Sequence, residues 1–142
     1  MDPRDFHQLA ARLAAAGGAA EARSAISRAY YAVFNVAAQS LRQLGFAVGR
    51  GAAAHGEVEK CLSNSGDADA QQVGSRLSVL HSRRNRADYQ LDKSDVEDAR
   101  EARVVVGQAS DMIRALDTAF GGPQRAQLQA SIQKWRRANG YP

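Results

Sequence analysis

The chain has 142 residues, 44% of them hydrophobic, enough to bury a core as one domain without disulfide or metal staples. Its single cysteine, Cys61, excludes an internal disulfide and any multi-cysteine metal site, and no apolar run approaches the roughly 20 residues a membrane-spanning helix needs. A net charge of +4 permits contact with RNA or DNA without demanding it, and with no signal-peptide pattern the default expectation is a cytoplasmic protein.

Proline occurs only at positions 3, 123 and 142, so the interior is free of helix breakers, and alanine is abundant. Asp2-Pro3 predicts a first helix, with an aspartate cap and proline at the first helical position, running to about Ala16 and stopping at Gly17-Gly18. A long second helix is expected over 19–44, because Ile26, Ala29, Tyr30, Val33, Phe34, Ala37, Leu41 and Leu44 keep the three-four spacing of one face. Residues 45–54, with three glycines, form a connection. A short helix around 54–63 carries Val58 and Leu62, and Asp67 is placed to cap a fourth helix over 68–89. Ser94-Asp95-Val96-Glu97 fits the capping box and predicts the start of a fifth helix, which ends at Gly121-Gly122. Pro123 opens a final helix to about Ala138, with Leu128, Ile132 and Trp135 on one side and a basic cluster, Lys134, Arg136 and Arg137, expected on a solvated face. No strand alternation and no internal repeat is present. The pattern predicts an all-α, up-and-down bundle of five to six helices.

The fourth helix carries the most informative run, Arg83-Arg84-Asn85-Arg86-Ala87-Asp88-Tyr89. Val73, Leu77, Leu80, Arg84 and Ala87 share one face by their spacing, which turns Arg84 toward the core. A desolvated guanidinium is costly without a partner, and Asp88, one turn on, supplies the counter-charge. The second helix has a polar line beside its apolar one: Ser24, Arg28, Tyr31 and Asn35. Arg28 and Tyr31 face the Arg84 segment if the two helices pack antiparallel. Otherwise Tyr30 and Tyr31 are half-buried aromatics with surface hydroxyls. His81, one turn before Arg84 and Asn85, is within reach of a ligand bound there, or simply solvated. His7, His55 and His81 share no metal-binding spacing, so no metal and no cofactor is expected. Neither a phosphate-binding glycine loop nor a nucleophile elbow is present.

Ser27-Arg28-Ala29-Tyr30-Tyr31-Ala32-Val33-Phe34 on one helix, followed by Arg84-Asn85-Arg86-Ala87-Asp88-Tyr89 on another, resembles the HEPN (higher eukaryotes and prokaryotes nucleotide-binding) domain. His55, early in the short helix, sits where many bacterial and archaeal members carry a histidine. The resemblance covers about residues 20–120. It implies a HEPN-like bundle over 1–122 and a C-terminal helical extension over 123–142. Many members are dimeric, metal-independent endoribonucleases, many of them toxins beside a minimal nucleotidyltransferase antitoxin; others serve in phage defence or as binding scaffolds. Carried over, Arg84 is the motif arginine and Asn85 its polar neighbour, and with Asp88 they would line a dimer-interface cleft that holds RNA or a nucleotide. Arg28, Tyr31, His81, Arg83 and Arg86 would provide further binding contacts.

The motif histidine falls on Tyr89. Histidine, with an unperturbed pKa of about 6.5, trades protons at neutral pH, whereas tyrosine, at about 10, stays protonated and makes a poor base. Arg84 can still clamp a phosphate bidentately. The expected outcomes are therefore a binding site without turnover, or a weakened ribonuclease that borrows His81 or His55. Three functions follow: a HEPN protein of a toxin–antitoxin or defence system acting on RNA or nucleotide; a silent HEPN module that holds a partner such as a nucleotidyltransferase; or an unrelated helical adaptor whose Arg-Asp pair is structural. A homodimer is expected because two-fold symmetry would double the positive charge in one groove.

Overall fold

The computed structural model describes all 142 residues. Six α-helices follow one another in an up-and-down bundle without strands: α1 (Arg4–Ala16), α2 (Ala19–Gln43), α3 (Ala53–Ser63), α4 (Ala68–Tyr89), α5 (Ala99–Gly121) and α6 (Arg125–Ala138), with a 3₁₀ turn at Ser94–Glu97 before α5. No helix is long and apolar enough to cross a membrane.

Local chemistry sets most helix ends. The Asp2 carboxylate accepts the Arg4 amide at 2.9 Å, capping α1. Gly45, at φ 97°, takes the left-handed conformation that ends α2. Asp67 accepts the Ala70 amide at 2.9 Å and caps α4. The fifth helix departs from expectation. The Ser94–Glu97 box forms only the 3₁₀ turn, and α5 starts at Ala99 under Asp98, whose carboxylate accepts the Arg100 amide at 2.8 Å. The reason is tertiary: Glu97 is taken by Arg23 of α2, at 2.7 Å. The same guanidinium donates to the carbonyls of Ala87 and Gln90 at 2.9 and 3.2 Å, and to those of Leu91 and Lys93 at 3.2 and 2.7 Å. One arginine thus collects the orphan acceptors at the end of α4.

Helix α2 is the axis of the core, packing against α1, α3, α4 and α5. Its alanines at 22, 25, 29, 32, 37 and 38 are all buried, and small side chains let several neighbours approach one helix. Gly74 of α4 serves the same end against α3. A Cβ at Gly74 would lie 2.8 Å from Ser63 Oγ and 3.1 Å from the Glu59 carbonyl. That close crossing brings α3 onto α4.

Helix α6 buries Leu128 and Ile132 in the same core as the other helices. The basic cluster on α6 is not uniformly solvated. Arg136 is 1% exposed and donates to Glu57 of α3 at 2.7 Å, while Lys134 and Arg137 are exposed. Phe46 and Tyr141 cover the Arg136 guanidinium, 5.4 and 5.0 Å from it. An arginine on a helix rich in basic residues reads as surface until a carboxylate from another helix meets it.

Candidate functional site

Two helices present matching faces. Helix α2 offers Ser27, Tyr30, Tyr31 and Phe34, and α4 offers His81, Arg84, Asn85 and Asp88, each set at steps of three, one and three. Helix α3 adds His55 and Glu59, one turn apart. The three helices converge on one end of the α2–α4 seam.

Arg84 occupies the centre. Its Nε lies 2.9 Å from Asp88 Oδ2, an ion pair whose N–H is aimed off the carboxylate, so that no hydrogen bond forms there. Nη1 donates to Asn85 Oδ1 at 3.1 Å and Nη2 to the Tyr31 hydroxyl at 2.5 Å. Asp88 accepts a second contact from the Ser27 hydroxyl at 3.0 Å. The Arg84 side chain is 12% exposed, so the expected partly buried Arg-Asp pair is present at the edge of the core. Several N–H donors of the guanidinium stay uncommitted.

A second guanidinium stands beside the first. Arg28 lies 4.8 Å from the centre of the Tyr31 ring, and Arg84 lies 5.0 Å from the same ring. Arg28 also reaches over Phe6 at 5.5 Å and has no carboxylate partner. Arg84 is offset by Asp88, and Arg28 is the cation left over. Tyr89, 70% exposed, holds its ring 5.5 Å from Arg84 on the open side.

Behind the arginines lies a packed group of rings. Tyr30 is fully buried, not half-buried with a surface hydroxyl, and its oxygen is 2.5 Å from His55 Nδ1. Tyr30 and His81 stack at 4.9 Å with 10° between their planes, His55 and His81 at 4.9 Å with 23°. Phe34 covers the far side of His55 at 4.3 Å. Burial pushes the Tyr30 phenol far above its ordinary value, helped by the nearby Glu59 charge. Burial also holds the His55 imidazole below its ordinary value, with His81 and Arg84 adding to the effect. Glu59 is raised, again chiefly by burial, against the opposing pull of His81. Its Oε1 has no hydrogen-bond donor and lies 3.6 Å from His81 Nδ1.

The structure therefore brings together Arg28, Tyr31, His81, Arg84, Asn85, Asp88 and Tyr89. It places Arg83 and Arg86 elsewhere, on the flank facing α5 and the 3₁₀ turn. Arg83 pairs with Glu101 at 2.5 Å, and Arg86 is held by both oxygens of Asp95 at 3.0 and 3.1 Å. Ser27 and Tyr30 stand in the run that carries the resemblance, and His55 is singled out beside it, but Glu59 carries no signal beyond lying one helical turn after His55. Nothing local reveals that His81 meets both His55 and Glu59. No group of three or more histidine, cysteine or acidic side chains forms a metal-holding arrangement. No family model, curated protein or solved structure matches the chain.

Proposed function

We propose that this chain is a HEPN-type protein that binds RNA at the Arg84 cluster, working as a homodimer in a toxin–antitoxin or defence setting. The observation that carries the reading is the pair of guanidiniums on one tyrosine ring, with Arg28 lacking any carboxylate. A phosphate is the ligand such a pair fits. Guanidinium N–H groups match its oxygens bidentately, and each charge-assisted bond is worth more than a neutral one. Tyr31 and Tyr89 add faces on which an unpaired base can stack. Ribose and base contacts would then come from Asn85 and His81 beside the arginines.

A second reading has its own support. Asp88, Asn85 and Tyr31 already engage three corners of Arg84, as they would in a silent module that holds a partner such as a minimal nucleotidyltransferase. Binding of a labelled single-stranded RNA across a salt series separates the two. The RNA reading expects affinity that falls steeply with salt. Arg28→Ala is then expected to weaken binding about tenfold and to reduce the salt slope by about one. Affinity indifferent to both Arg28→Ala and Arg84→Ala defeats it in favour of the partner-holding module. Sedimentation at micromolar concentration tests the dimer, and a lone monomer there counts against it.

A further inference from the structure

We propose that His81 is the proton-accepting group of an RNA-cleaving centre, oriented by Glu59, and that His55 is a neutral hydrogen-bond donor to the same phosphate, set in that role by Tyr30. The inference rests on the RNA reading of the Arg84 cluster and gives that site a chemistry.

The roles follow from the hydrogen-bond pattern. The Tyr30 hydroxyl is buried, keeps its proton, and has His55 Nδ1 as its one hydrogen-bond partner. A buried O–H with a single partner must donate to it, because an unmatched donor costs about 1–3 kcal/mol. His55 Nδ1 is then the acceptor, and the ring's proton sits on Nε2. A neutral imidazole in that tautomer offers an N–H and no free base. The position is suited to steadying charge on a phosphoryl oxygen, next to Arg84.

His81 has the opposite setting. Its Nδ1 faces Glu59 Oε1 at 3.6 Å, and that oxygen has no other donor. The half-buried carboxylate is relieved when Nδ1 carries the proton, which leaves the lone pair on Nε2. A carboxylate behind an imidazole, fixing its tautomer and stabilising its charged form, is the arrangement that makes a histidine an effective base. Catalytic hydrogen bonds are often long before substrate binds. The His81 side chain is 28% exposed and lies one turn from Arg84.

The step balances without a co-reactant. His81 Nε2 takes the proton of the ribose 2′-hydroxyl, and the 2′-oxygen attacks the adjacent phosphorus. The bond from phosphorus to the 5′-oxygen of the next nucleotide breaks as the new one forms. The leaving oxygen takes the proton back from the imidazolium, which returns to neutral. The products are a 2′,3′-cyclic phosphate end and a 5′-hydroxyl end. Arg84, Arg28 and the His55 N–H hold the charge that builds on the phosphoryl oxygens.

The test uses the purified full chain, in chelator, with a labelled oligodeoxynucleotide that contains a single ribonucleotide, and with its all-deoxy counterpart. Cleavage at the ribose alone, leaving a cyclic phosphate end, is expected, with both oligonucleotides bound. His81→Asn should lower the cleavage rate of bound RNA by about 10²-fold or more, well beyond any loss of affinity. Glu59→Gln is a positioning change. It should lower kcat less than His81→Asn does, with KM unchanged, and Glu59→Asp should recover part of the rate. If His81→Asn does not fold, the Glu59→Gln kcat decides. Bound but uncut RNA, or cleavage untouched by His81→Asn and by Glu59→Gln, overturns the His81 assignment. Failure to bind either oligonucleotide overturns the RNA reading beneath it.

Discussion

Two arginines enter the bundle and meet different fates. Arg136 on α6 is sealed: its side chain is 2% exposed, Glu57 is 10% exposed, and Phe46, Cys61, Tyr141 and the Pro142 carbonyl complete its surroundings. Arg84 on α4 stays at an edge, its partner Asp88 27% exposed, with the unpaired Arg28 and two histidines alongside. The first has a counter-charge and acceptors at both terminal nitrogens, leaves only its buried Nε without a partner, and is closed to solvent. The second keeps spare donors and excess charge facing outward. Burial of a charged residue alone does not mark a site. What marks it is unmatched charge that stays open to solvent, as at Arg28 beside Arg84.

The sharpest way to break this contrast is to remove each partner. Glu57→Ala leaves Arg136 buried without a counter-charge and is expected to cost about 3–5 kcal/mol, lowering Tm by roughly 10 °C. Arg84→Ala is expected to cost only about 1 kcal/mol, since Asp88 keeps its Ser27 contact and reaches solvent. Thermal unfolding of the two variants side by side checks it, and equal losses would erase the distinction.

An intermediate effect is expected at Arg23, which serves structure by closing the end of α4 just beyond the site. Arg23→Ala should cost about 2 kcal/mol, because the half-buried Ala87 carbonyl and Glu97 lose their donor together with the exposed carbonyls of Gln90, Leu91 and Lys93. Amide exchange should quicken most over residues 86–93, and a uniform change across the bundle would contradict a local cap.

The smallest effects belong to titration. His55 is held below its ordinary value, so the unfolded chain binds a proton that the native chain resists. Its contribution to stability is complete above the ordinary histidine value of about 6.5 and declines as pH drops below it. Glu59 runs the other way. Raised by burial, it favours the native state when protonated and weakens it as pH climbs past the ordinary carboxylate range. Melting between about pH 5.5 and about 7 should thus show less acid sensitivity in His55→Asn than in the wild type. At neutral pH, Glu59→Gln should melt higher than the wild type. A carboxylate that destabilises the fold in which it sits is what a site held for function, not for stability, looks like.

What the amino-acid sequence makes legible is what lies within one helix. Apolar spacing places all six helices, Asp67 stands out as a cap, and Arg84 with Asp88 one turn on stands out as a pair. These rest on contacts three or four residues apart, which helical geometry sets regardless of what surrounds the helix. The contacts that give the cluster its chemistry span far more chain: Tyr30 and His55 are 25 residues apart, Tyr31 and Arg84 are 53, Ser27 and Asp88 are 61. The box at Ser94–Glu97 shows the boundary between the two. Its local signal is correct in kind, yet Arg23, 74 residues away, takes the glutamate and moves the helix start to Ala99. Periodicity tells which face of a helix turns inward, but not which face of which partner it meets. That is decided by how closely helices cross, as at Gly74, and so by packing of the whole bundle, where His81 meets both His55 and Glu59.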